Sequence, residues 1–449
     1  MRRFAAIVMT LVWTAQARAQ STVEGASDTE AGNSAEAIAE LPQPGFWEGG
    51  GVRVGEGTIF HPAFGLSGGY QSNVFFQDSG DGPSGPVSAG LARISAGGSY
   101  GTIDRGRMEA EAPGGEGPRL IFNVDGLLTW NQYISSDSTI TDQSDLGIGL
   151  NADFKLNPRG KVSFNIRDSF VRSVTPGQST VEDADRDRNE LSANVTARPG
   201  GGAIEAYLGY VFVLDLFEES ILLFQNRMSH AAVGGVRWQW LPRTQVSLDA
   251  SIATVTPSNE EFKSASLPLR VTLGASSLLT PAVGLIARAG YGNGFYDRGA
   301  NVSTWIAQLE ARFYIGPTLR TAVGYSHDFA DSLVGNYFLD HLLYGRLGWQ
   351  LLDRLQLRLL GELRFRSYGG IEDTTDLDLC GDATCANFRD DLLTRVDASL
   401  EYQITAWLFG GISYTLMTDS TDFFVRSVQA DDSGAYVASE VSLRVSARF

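Results

Sequence analysis

Apolar and polar residues alternate one by one along most of the chain from residue 61 to its end. Between Lys161 and Arg167, Lys, Ser, Asn and Arg occupy one set of alternate positions, and Val, Phe and Ile occupy the other. Successive side chains of a β-strand point to opposite faces, so a period of two predicts strands with one apolar and one polar face. A helix, whose period is about 3.6 residues, does not fit this pattern. We therefore predict an all-β protein.

The connections between the alternating segments also follow a pattern. Segments of roughly 10–14 residues recur about 18 times, and Gly, Pro, Asn or Asp bound each of them. Short turns, as at 157–160 and 241–243, alternate with long polar stretches, as at 173–187 and 215–227. Transmembrane barrels have short turns on one side and long loops on the other. We predict an antiparallel transmembrane β-barrel of about 18 strands over residues 59–449; a soluble β-sandwich or propeller would not explain the rhythm of turns.

Aromatic residues near the predicted strand ends agree with a barrel. Such barrels carry girdles of aromatic side chains where the wall meets the two membrane surfaces. The candidates are Trp238, Trp240, Tyr314, Trp349, Trp407 and Phe449. We expect these side chains on the outer surface.

The first 58 residues differ from the rest. Arg2 and Arg3 precede an apolar stretch, and Ala17-Arg18-Ala19 forms a small-x-small cleavage motif, so residues 1–19 are predicted to be a signal peptide. Residues 20–58 are rich in Ser, Ala, Glu, Gly and Pro and show no periodicity. Such a segment cannot bury enough apolar surface to order itself, which predicts a disordered periplasmic tail.

Charge and histidine content limit the function. The 449 residues include 35 Lys and Arg against 52 Asp and Glu, a net charge of −17, which argues against nucleic-acid binding. The chain contains no run of 18 apolar residues, so we predict no transmembrane helix. With only four His residues and no phosphate-binding loop or calcium-loop spacing, we expect no catalytic residues, no cofactor and no metal site.

Two cysteines lie close together near the C-terminal end. Cys380 and Cys385 are separated by four residues, and no His is nearby to complete a zinc site. In an exported protein, a close pair of this kind is typical of a disulfide bond that restrains a surface loop.

The last strand carries a resemblance. It alternates Val441, Leu443, Val445, Ala447 and Phe449 with polar residues, and with the signal peptide it resembles the C-terminal strand of Gram-negative outer-membrane proteins. The resemblance implies an outer-membrane location in contact with lipid and lipopolysaccharide. It also implies that Phe449 is part of the signal read by the barrel assembly machinery.

The predicted first strand, residues 61–75, is similar to the opening strand of barrels associated with exopolysaccharide export, including myxobacterial export porins. This resemblance implies a pore for export of polysaccharide that works with periplasmic polysaccharide-export proteins. A general small-solute porin, or a plugged structural or adhesive barrel with acidic surface loops, remains an alternative.

Polar residues on the inner face are the candidate site. Assigning the apolar positions to lipid leaves a lumen richer in arginine than in acids. A guanidinium stays charged and binds carboxylate or phosphate in a bidentate manner, so such a lumen suits an anionic polysaccharide. Alternatively, the arginines pair with neighbouring acids, as Arg312 with Glu310 or Arg364 with Glu362, and only stiffen the wall. The candidates are Arg167, Arg237, Arg270, Arg288, Arg312, Arg346, Arg358, Arg364, Arg366, Arg395 and Arg444.

Overall fold

The computed structural model describes residues 51–449, except 56, 78–85, 103–118, 159, 174–184, 200–202, 219, 261–262, 333–334, 371–388, 422–423, 427–430 and 434. The predicted signal peptide, most of the predicted tail, and Cys380 and Cys385 lie outside the described residues, so these assignments stay predictions. Within the stretch predicted as a tail, Val52–Arg53 forms a short strand that pairs with Phe60 and Ile59.

Eighteen antiparallel strands form one closed barrel, as the alternation predicted. Each strand pairs with the strands before and after it in sequence, and the last pairs with the first. The strands, numbered in chain order, are β1 Thr58–Gln71, β2 Ala89–Thr102, β3 Leu120–Ile134, β4 Leu146–Leu156, β5 Val162–Ser173, β6 Arg186–Ala197, β7 Ile204–Phe217, β8 Arg227–Leu241, β9 Thr244–Pro257, β10 Leu269–Thr280, β11 Val283–Asn293, β12 Ser303–Ile315, β13 Leu319–Asp331, β14 Tyr337–Leu352, β15 Leu355–Gly369, β16 Arg389–Gln403, β17 Leu408–Thr421 and β18 Tyr436–Arg448.

The connections differ at the two ends of the barrel. At one end, which we call the turn end, short turns such as the one between Leu352 and Leu355 join the strands directly. At the other end, which we call the loop end, the connections contain a helical turn at Ser138–Thr141, a 3-10 helix at Ser220–Gln225, and a two-stranded pair formed by Phe424–Arg426 and Asp431–Ser433. Among the described residues, no helix has the length and apolar character needed to cross a membrane.

The seam between β1 and β18 closes the barrel. The pairing runs from Ala63 opposite Arg448 to Gln71 opposite Glu440. The backbone N–H of Phe449 donates to the carbonyl of Pro62 at 3.1 Å, and its ring stacks on Trp407 with 5.4 Å between centroids. The terminal residue thus contributes to closure, while its role as an assembly signal stays a prediction.

The outer face of the barrel is apolar. Large side chains such as Leu66, Leu208 and Leu443 are 60–70% exposed, which is unfavourable in water but favourable against hydrocarbon. An exception is Asp168 in β5, which lies on the register row of outward-facing Leu191 and accepts a hydrogen bond from Asn189 at 2.9 Å.

Aromatic side chains surround the turn end of the outer face. Trp238, Trp240, Trp349 and Trp407 are exposed there, as the girdle prediction required. Tyr314 was wrongly assigned to this girdle. It alternates with the outward-facing Ile315 and lies 3.8 Å from the position that a Cβ on Gly284 would occupy, so it faces the lumen.

Strands β12 and β13 separate near the loop end. Their pairing runs from Ile315 opposite Leu319 up to Ala307 opposite His327 and stops there. Above this point, among the described strands, residues 303–306 pair with β11 alone, and residues 328–331 pair with β14 alone. The Nε2 of His327 lies 3.0 Å from the hydroxyl of Thr304 in the resulting gap.

Candidate functional site

The register places all eleven candidate arginines on the inner face. Each alternates with outward-facing apolar residues on its own strand, and neighbouring strands keep the same alternation. The register thus places them in the lumen wall, whereas their role as a solute path stays a prediction. Six of them pair with acids, two rest on tyrosine rings, and three do neither.

Six of the arginines make ion pairs with acids of the wall. Arg312 pairs with Glu310, and Arg364 pairs with Glu362 at 3.0 Å, as the alternative interpretation predicted. The other pairs are Arg270 with Asp328 at 3.3 Å, Arg366 with Asp340 at 3.6 Å, Arg395 with Asp397 at 2.7 Å and Arg444 with Glu401 at 2.9 Å. For this group, a structural role in the wall is sufficient.

Arg237 and Arg346 are held by tyrosines instead of acids. The guanidinium carbon of Arg237 lies 4.6 Å from the ring centre of Tyr207, and that of Arg346 lies 4.8 Å from the ring centre of Tyr344. Such cation–π contacts position the guanidinium without using its N–H groups. Neither arginine has an ion pair within the part of the chain that the structure describes. Their N–H groups can therefore bind a passing solute.

Each tyrosine also binds an acid of the lumen wall. The Tyr207 hydroxyl donates to Asp249 at 2.7 Å, and the Tyr344 hydroxyl donates to Glu310 at 2.5 Å. Both tyrosines cross an intervening strand at a glycine. A Cβ on Gly235 would lie 2.8 Å from the Tyr207 ring, and a Cβ on Gly324 would collide with Tyr344. We call these two arrangements the tyrosine bridges.

Arg288 and Arg312 each share a register row with one of the two tyrosine-backed arginines. Arg237 and Arg288 lie on one register row with only Ser247 and Gly274 between them. Only Ala322 separates Arg312 from Arg346. We call Arg237, Arg288, Arg312 and Arg346 the basic row; Arg288 lies at the midpoint of its strand, and the other three lie in the halves of their strands nearest the turn end.

The remaining two candidates lie apart from the row. Arg358 donates to Gln356 at 2.9 Å on its own strand. Arg167 lies on β5 and is exposed, with no ion pair to any described residue. The structure does not bring either of them to the basic row.

A second charged cluster crosses the lumen at the loop end. Asp215 of β7 lies between Arg186 at 2.6 Å and Arg227 at 3.2 Å. Arg227 also pairs with Asp331 at the end of β13, and Lys263 reaches Asp331 at 2.9 Å. All five side chains are buried, with at most 7% exposed. Because β8 and β13 are not neighbours, this contact narrows the lumen.

Sequence reasoning did not identify the cross-lumen cluster. Arg227 falls at the boundary of β8, and Lys263 lies in a connection, so alternation assigned neither to the wall.

In the β11–β12 connection, burial and the nearby Asp331 raise the pKa of the Tyr296 phenol, so this group stays neutral. Within the described ranges, no group of three His, Cys, Asp or Glu side chains is arranged to hold a metal.

Comparisons with known proteins give structural similarity only. No protein-family model and no curated protein matches the chain. Among solved structures, OccAB4 of Acinetobacter baumannii is 11% identical, with a TM-score of 0.46 over 88% of this chain and 99% of that one. A BenF-like porin from Pseudomonas fluorescens Pf-5 is 10% identical, with a TM-score of 0.45 over 88% and 99%. The outer membrane receptor for alcaligin, FauA from Bordetella pertussis, is 11% identical, with a TM-score of 0.35 over 87% and 76%.

These similarities concern barrels in general. The narrower resemblance to exopolysaccharide-export porins is unconfirmed. None of them bears on what passes through this lumen.

Proposed function

We propose that the protein is an outer-membrane pore for small solutes that prefers anions. The apolar outer face supports a membrane location, because a surface of exposed leucines is stable only against hydrocarbon. A barrel of this many strands encloses an aqueous channel rather than a side-chain core. Contact with lipopolysaccharide and the barrel assembly machinery belongs to the same proposal.

The tyrosine bridges carry the preference for anions. In an ordinary ion pair the carboxylate occupies N–H groups of the arginine. Here the carboxylates of Asp249 and Glu310 accept tyrosine hydroxyls, while Arg237 and Arg346 rest on the tyrosine rings. A field from fixed cations raises the local concentration of anions in an aqueous channel with low-dielectric walls.

The general pore has more support than polysaccharide export. The cross-lumen pairs between Arg227, Lys263 and Asp331 narrow the lumen where a polymer would have to pass. Small ions and metabolites need less width. Work with periplasmic polysaccharide-export proteins remains the alternative, and block of the current by a uronate polymer would favour it.

The proposal is tested by the reversal potential of the refolded protein in a planar bilayer under a salt gradient. We expect an anion-selective wild type and a shift toward cation selectivity in the double variant Arg237→Met, Arg346→Met. The matched control is the double variant Arg243→Met, Arg354→Met, which removes the same two charges from exposed turns outside the lumen. A cation-selective or silent wild type would overturn the proposal. A double variant with wild-type selectivity would show that the tyrosine bridges do not set the preference for anions.

A further inference from the structure

The end of β13 is held inside the lumen by cations from other parts of the barrel. We call Asp328–Ser332 the latch segment. Arg270 of β10 contacts Asp328 at 3.3 Å and donates to the carbonyl of Phe329 at 2.6 Å. Arg227 of β8 pairs with Asp331, and Lys263 binds both Asp331 and the carbonyl of Ser332. Three cations from three elements therefore hold five consecutive residues.

At the latch segment, contacts with these cations take the place of backbone pairing with β12. Strand β13 still pairs with β14 through Asp331 opposite Tyr337, but it leaves β12 above His327. Residues 303–306 of β12 continue toward the loop end as well, paired only with β11. Both strands thus present an unpaired edge to the gap between them.

Packing at the gap fits a movable segment. The Phe329 ring fills the space above Gly292, where a Cβ would lie 2.5 Å from it, and Arg270 lies over the same ring at 4.2 Å. Extending the register of the β12–β13 ladder would place Phe329 opposite Trp305, whose side chain is exposed on the outer face. The apolar ring of Phe329 therefore has a place in either arrangement.

We propose that the latch segment switches between this clamped position and a zipped position in which it pairs with residues 303–306 of β12. In the zipped state Thr304 would lie opposite Ala330, and Asp331 would leave Arg227 and Lys263. The exchange trades buried ion pairs, whose attraction is offset by desolvation, for backbone hydrogen bonds. This switch regulates the proposed pore and therefore rests on that proposal. The clamped state has the narrower lumen.

A cysteine cross-link between residues 304 and 330 detects the zipped state. The test variant carries Thr304→Cys and Ala330→Cys, with Cys380→Ser and Cys385→Ser to remove the native thiols. The control pair, Gln308→Cys and Ser326→Cys, sits at opposite positions of the ladder that is already formed. Both pairs are combined with Asp331→Asn and, separately, with Lys263→Gln. Asp168→Asn on the outer face is the matched charge control.

We expect slow oxidation of the 304/330 pair in the unmodified background and several-fold faster oxidation with Asp331→Asn or Lys263→Gln. Asp168→Asn should leave the rate unchanged, and the control pair should oxidise rapidly throughout. Equal 304/330 rates in all backgrounds would overturn the switch, as would rapid oxidation without any substitution at the latch.

Conductance tests the gating role separately. We expect the cross-linked 304/330 barrel to conduct more than the same protein after reduction. Equal conductance in the two states would refute gating. A barrel that is silent in both states would refute the proposed pore, whereas the cross-linking rates would still report the switch.

Discussion

At the scale of single residues, the lumen chemistry depends on where side chains are absent. Tyr207 and Tyr344 reach their acids only because Gly235 and Gly324 leave the strand between them bare. The ion pairs between residues two apart, Arg312 with Glu310 and Arg364 with Glu362, could be predicted from alternation alone. The tyrosine bridges could not, because each joins residues on different strands whose register the sequence does not give.

Gly324→Ala should break one tyrosine bridge. The new methyl group would displace the Tyr344 ring from Glu310, which costs about 1–2 kcal/mol for a buried hydrogen bond. We expect a lower unfolding temperature in heat-modifiability gels and a reduced anion preference. Gly345→Ala is the control, because a Cβ there meets no atom within 4 Å. Equal effects of both substitutions would contradict this role of Gly324.

Asp215→Asn should strongly destabilise the barrel. The carboxylate is 1% exposed and lies within 3.3 Å of nitrogens of Arg186, Arg188 and Arg227. Neutralising it leaves the buried guanidinium of Arg186 uncompensated, a loss of about 3–5 kcal/mol for a broken buried pair. The free energy of unfolding in urea with lipid vesicles measures it. Asp168→Asn, on the outer face, should not lower stability, and a comparable loss there would argue against the explanation.

At the scale of elements, the strands follow the alternation closely. The segment predicted at 338–352 is β14, Tyr337–Leu352, in the structure. The segment predicted at 243–256 is β9, Thr244–Pro257. The first strand was predicted to begin near residue 62 but begins at Thr58, since pairing with β2 extends to Thr102. That extension depends on the partner strand, which a local pattern does not contain.

Deleting Phe449 should weaken closure of the barrel. The deletion removes a ring stacked on Trp407 and a backbone hydrogen bond to Pro62 at the seam. We expect a lower yield of folded barrel and a lower unfolding temperature in heat-modifiability gels. Phe449→Tyr keeps both contacts and should behave like wild type. If Phe449→Tyr fails to assemble while remaining able to stack, the residue acts as a recognition signal rather than through closure.

At the scale of the whole molecule, charge is divided between regions. The chain carries a net charge of −17, yet the basic row gives one sector of the lumen wall an excess of cations. The barrel could be predicted from sequence because alternation is local. The narrowing at the loop end could not, because Arg227 and Asp331 are distant in sequence and meet only through the bend of β13.

Anion preference should decrease as salt concentration rises. The Debye length falls from about 10 Å at 0.1 M to about 3 Å at 1 M, so the field of the basic row reaches less of the lumen. We expect the reversal potential, at a fixed ratio of salt concentrations, to approach zero between these conditions. A selectivity independent of salt would indicate a steric filter instead of an electrostatic one.

The separation of β12 and β13 changes how the barrel meets other chains. Closing a sheet into a barrel removes the exposed edges through which β-proteins add foreign strands and aggregate. Here two short edges return at the loop end, partly covered by Trp305 and by the contact between His327 and Thr304. The described part of the wall therefore has a place where an extended peptide could join the sheet by backbone hydrogen bonds.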